Sequence, residues 1–256
     1  MIKQMKNTKI AKLFIVGILT VLGTGFAMGQ SKTIDVDSFD EVIISPHLEV
    51  VFKKGNEESV TVNELKVPMN KLNLEVKRNT LHVYLEGAKI TTETKKVMVD
   101  GSMRKVPIYK GTQGKLVVTY KDVETFSLRG EEKFVFDSTL SKNKMKFNIY
   151  GESQIEVKEA QIDELRVAIH GESSFEIKKG KIKKQRFTAY GESMVNTLGV
   201  NNETTKITAY GDGDYKFNIS ERLKITSYGE SNISYKGNGE VKKGLVIGDT
   251  TIEMIE

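Results

Sequence analysis

Three stretches decide the fold: FNIYGESQIEV at 147–157, VAIHGESSFEI at 167–177 and FTAYGESMVNT at 187–197. Each sets a glycine fifth and an acid sixth, with apolar side chains at alternate positions on either side. The frame extends outward to ITAYGDGDYKF at 207–217 and ITSYGESNISY at 225–235, and back to a degenerate copy, FSLRGEEKFVF, at 126–136. Gly130, Gly151, Gly171, Gly191, Gly211 and Gly229 thus lie 21, 20, 20, 20 and 18 residues apart. So even a spacing marks a repeat architecture.

The alternation has a period of two, the signature of strands. Phe147 and Ile149 precede their glycine, Ile155 and Val157 follow it, and Ile162 or Ile182 falls near mid-repeat. A single such unit has one apolar face and nothing to cover it, and stacking equivalent units buries that face. The expected fold is all-β, a parallel β-helix or solenoid with about 20 residues per coil. Right-handed winding is the default for parallel connections. Six repeats would occupy residues 121–256. All three prolines, Pro46, Pro68 and Pro107, precede the repeats, whose inner strands need every N–H. The glycine column suggests a corner where the backbone must bend or take positive φ. An antiparallel meander is the competing reading. It calls for Asn-Gly or Asp-Gly at its turns, and only Asp212-Gly213 partly qualifies.

Residues 30–120 read as an N-terminal β segment that continues into the solenoid or caps it. Short strands are expected at Val42–Ile44, Leu48–Phe52, Val60–Val62, Leu72–Val76 and Leu81–Leu85. The stretch 88–115 reads as a projecting insert in which Val97-Met98-Val99-Asp100-Gly101 starts a hairpin. It carries seven bases (Lys89, Lys95, Lys96, Arg104, Lys105, Lys110, Lys115) against two acids, Glu93 and Asp100. Such a cluster suits either a solvated loop or a contact with anionic lipid or acidic polysaccharide.

Residues 1–29 have the form of a secretory signal peptide: Lys3, Lys6, Lys9 and Lys12, an apolar run from Leu13 to Met28, then Ala27 and Gly29 at the exit. Removing those four lysines from 39 basic residues leaves 35 against 34 acids, a net charge of +1. The charge excess therefore belongs to the leader, and no nucleic-acid partner is expected. With no cysteine there is no disulfide framework, thiolate metal site or lipid-attachment cysteine. No later apolar run is long enough for a transmembrane helix. The expected location is outside the cytoplasm: periplasm, outer-membrane surface or extracellular space.

These features resemble the auto-transporter adhesin head GIN domain family of secreted bacterial proteins. The resemblance rests on Phe39-Asp40-Glu41-Val42-Ile43-Ile44, Leu81-His82-Val83, Leu116-Val117-Val118-Thr119-Tyr120, the glycine units and the closing Tyr235-Lys236-Gly237-Asn238-Gly239. It implies a β-helical envelope or surface protein without an established activity. Repeats of that family usually read Ser-Gly-Ser-Gly, whereas here Tyr or His precedes the glycine and Glu or Asp follows it.

If the apolar positions point inward, the odd offsets point outward and form rows. Lys146, Arg166, Arg186, Lys206 and Lys224 stand five before the glycine. Tyr150, His170, Tyr190, Tyr210 and Tyr228 stand one before it. Glu152, Glu172, Glu192, Asp212 and Glu230 stand one after it, preceded by Glu131. The first repeat departs, with Thr125 and Arg129 in the first two rows. Like charges one coil apart repel by roughly 1 kcal/mol even in water. Three readings compete: a solvated face stiffened by a tyrosine ladder, a binding face for polysaccharide or a partner, and Ca²⁺ bridging neighbouring carboxylates. The glycine- and aspartate-rich nonapeptide of calcium-binding β-rolls is missing.

Some β-helices are polysaccharide lyases or hydrolases, which hold a distinguished acid and base at one point. Here the acids form a uniform series, His170 merely fills a tyrosine slot, and His47 and His82 stand singly among strand residues. No nucleophile elbow, zinc-binding helix motif or phosphate loop is present. The sequence therefore favours a non-enzymatic, exported, adhesin-like protein that needs no cofactor. The alternatives are a β-helix lyase or hydrolase and a purely structural envelope protein.

Overall fold

The computed structural model describes residues 31–256. The expected leader at 1–29 lies outside the described residues. Nine strands precede the repeats: β1 (Lys32–Asp35), β2 (Glu41–Ile44), β3 (Leu48–Lys54), β4 (Ser59–Leu65), β5 (Leu72–Lys77), β6 (Thr80–Leu85), β7 (Thr94–Val99), β8 (Ser102–Pro107) and β9 (Gly114–Tyr120). Then come β10 (Thr125–Gly130), β11 (Lys133–Phe136), β12 (Leu140–Gly151), β13 (Gln154–Val157), β14 (Ala160–His170), β15 (Ser174–Ile177) and β16 (Gly180–Tyr190). The last five are β17 (Ser193–Tyr210), β18 (Gly213–Tyr228), β19 (Ser231–Lys236), β20 (Glu240–Ile247) and β21 (Thr250–Met254).

Each repeat pairs in parallel with the next, so the chain is a parallel β-solenoid and not an antiparallel meander. Before the glycine, Phe147 lies against Val167, Val167 against Phe187 and Phe187 against Ile207. After it, Phe134 lies against Ile155 and Ile155 against Phe175. The inward side chains fill one continuous core. Phe126, Phe134, Phe136, Phe147, Phe187 and Phe217 are fully buried. Their rings pack edge-on or stacked, Phe126 on Phe147 at 5.4 Å and Phe147 on Phe175 at 5.3 Å. Fully burying one such side chain is worth about 1.5–3 kcal/mol.

The glycines line up along one edge, with φ of 110° at Gly151, 122° at Gly171 and 99° at Gly191. A Cβ on Gly171 would also stand 2.3 Å from the carbonyl oxygen of Gly151. Conformation and close stacking thus both require glycine there. Just inside the corner the sequence repeats a serine whose role its pattern did not reveal. The Ser153 and Ser173 hydroxyls are buried and donate to the carbonyls of Gly130 and Gly151, each at 2.8 Å. Gly213 replaces serine in one coil because the inward Tyr215 hydroxyl occupies the space a Cβ would need, 2.4 Å away.

The N-terminal segment both continues the stack and closes it. β2 lies between β6 and β10, and β3 between β9 and β11, all in parallel. The chain therefore lays one coil, places the next on its outer side, and returns to the inner side to start the repeats. Antiparallel strands then cover that end: β5 on β6, β4 on β9 and β1 on β4. In the first repeat Glu132 fills the serine slot. Its buried carboxylate accepts the Glu131 N–H at 3.0 Å, and burial pushes its pKa up. At the far end β20 and β21 add a further turn that the sequence pattern does not single out. There Lys242 lies against Lys224, Ile247 against Tyr228, and Gly248 follows the glycine column. β7 and β8 form a separate two-stranded sheet around an Asp100-Gly101 turn with φ of 50° and 75°.

Candidate functional site

Parallel, in-register pairing turns every outward position into a file along the solenoid axis. On the side ahead of the glycine corner there are three. The first runs Thr125, Lys146, Arg166, Arg186, Lys206, Lys224, Lys242. The second is low and polar: Asn148, Ala168, Thr188, Thr208 and Thr226. The third is the aromatic file, Tyr150, His170, Tyr190, Tyr210 and Tyr228. Together they make a shallow trough with a cationic wall, a floor of small side chains and an aromatic wall.

The aromatic rings stack on one another. Tyr150 and His170 are 5.0 Å apart and 7° from parallel, and Tyr190 and Tyr210 are 4.9 Å apart at 4°. His170–Tyr190 and Tyr210–Tyr228 repeat the geometry, and the Arg129 guanidinium covers Tyr150 at 4.5 Å. Each interior ring has a neighbour on both faces, so solvent meets ring edges and tyrosine hydroxyls. This is the ladder the sequence suggested. A sugar stacking flat on a single ring would have to displace a neighbour.

The cationic wall is poorly neutralised. Arg166 pairs with Glu164 at 2.6 Å and Lys242 with Glu240 at 3.4 Å. Among the described residues, Lys146, Arg186, Lys206 and Lys224 have no carboxylate within 4.0 Å. Arg166 holds the Glu164 carboxyl below the usual range, helped by Lys144 and Arg186. At the next corner a second file adds charge: Lys144, Glu164, Lys184, Thr204, Arg222. The sequence carried that signal seven residues before each glycine, but the mixed residue types hid it. Between the two files lies an open groove of about 280 Å³ edged by Lys184, Arg186, Lys206, Arg222 and Lys224, with Glu164 its one acid. Buried Gln185 and Thr205 form its floor, hydrogen-bonded to each other at 2.9 Å.

The acidic row lies past the glycine, around the corner from the trough. Glu172, Glu192, Asp212 and Glu230 edge an open cleft of about 500 Å³ together with Asp214 and Asn232. Its internal contacts are polar, such as the Glu230 N–H donating to Asp212 at 3.2 Å. Among the described residues no three carboxylates or imidazoles converge as metal ligands would. Glu152 is exposed at the N-terminal end of this row. The structure thus unites the cationic and aromatic residues on one side and sets the acids on another.

The family described as "Putative auto-transporter adhesin, head GIN domain" matches residues 38–239. This chain belongs to that family. Solved structures share the fold. A putative adhesin from Bacteroides fragilis superposes with a TM-score of 0.71 at 17% identity, covering 88% of this chain and 96% of its own. A putative adhesin from Parabacteroides merdae gives 0.62 at 20%, covering 88% and 95%. One from Parabacteroides distasonis gives 0.63 at 20%, covering 88% and 96%. No curated protein matches the chain. The head GIN fold therefore accounts for the solenoid.

Proposed function

We propose that this head GIN protein is a non-enzymatic, adhesin-like component of the exported cell envelope, and that its trough binds an extended acidic polysaccharide. The observation that supports this is the in-register file of cations, of which Lys146, Arg186, Lys206 and Lys224 have no carboxylate partner among the described residues, beside the threonines Thr188, Thr208 and Thr226. From Arg186 to Lys224 each coil repeats a cation, a threonine and a tyrosine at the coil spacing of about 4.8 Å. Such a surface suits a polymer with regularly repeated anionic groups better than a compact ligand. Carboxylate or sulfate groups would pair with Arg186, Lys206 and Lys224, while sugar hydroxyls meet the threonine floor and the tyrosine edges. The uniformity that suits a polymer also argues against catalysis, which needs one acid made different from its neighbours.

The test is retention of the purified protein in gels or on arrays carrying alginate, heparin and a neutral glucan. Retention is expected on the acidic polymers alone, weakening with salt. It is expected to be lost in the triple variant Arg186→Gln, Lys206→Gln, Lys224→Gln, with the circular dichroism spectrum unchanged. Undiminished retention of that variant would overturn the proposal.

A further inference from the structure

The β7–β8 hairpin stands outside the core, and its side chains follow a pattern that the fold itself does not require. Its cross-strand register sets Met98 opposite Met103 and Lys96 opposite Lys105, all on one face. On the other face Val97 lies opposite Arg104 and Lys95 opposite Val106. Like charges placed directly across an antiparallel pair destabilise it. An isolated hairpin in water is at best marginally stable and has little to spare for such repulsion. Met98 and Met103 are nonetheless 66% and 59% exposed, among the most exposed large apolar side chains described.

Two of the three other bases of this stretch behave differently. Lys89 pairs with Glu75 at 3.1 Å and lies over the Tyr84 ring at 4.3 Å, while Lys115 pairs with Glu64 at 3.3 Å. Among the described residues, Lys95, Lys96, Arg104 and Lys105 have no carboxylate within 4.0 Å. The insert thus sorts its charges: those at its base hold it to the cap, and those along the hairpin remain free. An exposed methionine pair just behind the Asp100-Gly101 turn, flanked by four unpaired cations that outweigh its one acid, matches the side-chain order of an interfacial membrane anchor, whose apolar groups enter the headgroup region while its bases meet anionic lipid.

We propose that the β7–β8 hairpin docks this protein onto a bilayer surface carrying anionic phospholipid. Met98 and Met103 enter the interface, and Lys95, Lys96, Arg104 and Lys105 lie at the level of the phosphates. The occupant follows from charge complementarity combined with the exposed methionine pair. A soluble acidic polymer would satisfy the cations and leave both methionines in water.

The chain contains no tryptophan, so Met103→Trp places a single reporter at the tip. With vesicles of phosphatidylcholine containing one-quarter phosphatidylglycerol, its emission is expected to shift to the blue and its quenching by acrylamide to fall. Vesicles of phosphatidylcholine alone, and alginate in solution, are expected to change neither. In co-sedimentation of the otherwise native chain, Lys96→Gln with Lys105→Gln is expected to weaken partitioning roughly 25-fold, at about fivefold per cation. Met98→Ser with Met103→Ser is expected to weaken it as well. The Arg186→Gln, Lys206→Gln, Lys224→Gln variant is expected to partition normally, which separates this proposal from polysaccharide binding in the trough. Three results would overturn it: no emission change with anionic vesicles, the same change with alginate alone, or vesicle binding lost only in the trough variant.

Discussion

The two sides of each coil treat charge differently, although the same corner joins them. Past the glycine, beyond the acidic row of Glu152, Glu172, Glu192, Asp212 and Glu230, acids pair with lysines of neighbouring coils. Glu156 bridges Lys133 at 3.1 Å and Lys178 at 2.6 Å, and Asp137 pairs with Lys158 and, at 3.9 Å, with Lys53. Where that side carries unpaired acids, amides answer them, as Asn196 does for Glu176 and Asn232 for Asp214. Ahead of the glycine, lysine and arginine lie above lysine and arginine for six coils. A solenoid can evidently neutralise a face by staggering its charges, since this one does so a few residues away. Whether a file is staggered is therefore a property of that row and not of the architecture.

The largest effect expected concerns the corner that holds the two sides together. Gly171→Ala is expected to lower unfolding free energy by about 3 kcal/mol or more, because positive φ and overlap with the Gly151 carbonyl act together. Gly101 has φ of 75° but nothing within 4 Å of its Cβ position. There the same change is expected to cost only roughly 1–2 kcal/mol. Urea denaturation of both variants measures the difference. Equal losses would mean that strain alone sets the glycine column.

The charge comparison can be broken directly, since it requires opposite signs from two neutralising substitutions. Glu156→Gln removes a carboxylate shared by two lysines and is expected to cost about 1 kcal/mol. Lys206→Gln relieves like-charge repulsion and is expected to raise stability by up to about 1 kcal/mol at low salt, a gain that added salt removes. The pH dependence follows from the same pairs. Lys178 and Lys133 hold the Glu156 carboxyl below its ordinary 4.5, and Arg166 does so for Glu164. For a depressed carboxyl the native state binds fewer protons than the unfolded chain. The stabilisation is therefore complete above 4.5 and is lost as pH falls through the lower native values. The melting temperature is expected to drop below about pH 4.5, less steeply in Glu156→Gln. Two substitutions with the same sign would show that the two sides do not differ.

The repeats were legible because each coil states its whole plan locally: an apolar pair, a corner, an apolar pair, and polar residues between. Register then follows from the period, so spacing alone names the cationic and aromatic files residue by residue. The N-terminal order was not legible. Placing β6 outside β2 and returning to β10 on the inner side is decided by which edges remain unpaired, and no local pattern encodes that. The basic groove was legible only in part, because Lys184 and Arg222 belong to a file that also holds Glu164 and Thr204. The orientation of the aromatic rings was outside the reach of sequence altogether. Spacing shows that they stack but not which part of them solvent meets.

That orientation supports the smallest and most discriminating prediction. Tyr190 keeps its stacking partners 4.9 Å away on both sides, and it is 42% exposed at its edge. Tyr190→Phe leaves ring and stack in place and removes only the hydroxyl. Stability is expected to change by less than about 0.5 kcal/mol. Retention on alginate is expected to fall roughly two- to tenfold, the value of one neutral hydrogen bond. Tyr190→Ser also deletes the ring and interrupts the ladder, at a stability cost of about 1 kcal/mol. If Phe binds as wild type while Ser does not, the ligand contacts the ring, and the stack must open to admit it. If Phe and Ser lose retention equally, the hydroxyl row is the contact and the stacked rings serve to hold it in line with the lysines opposite.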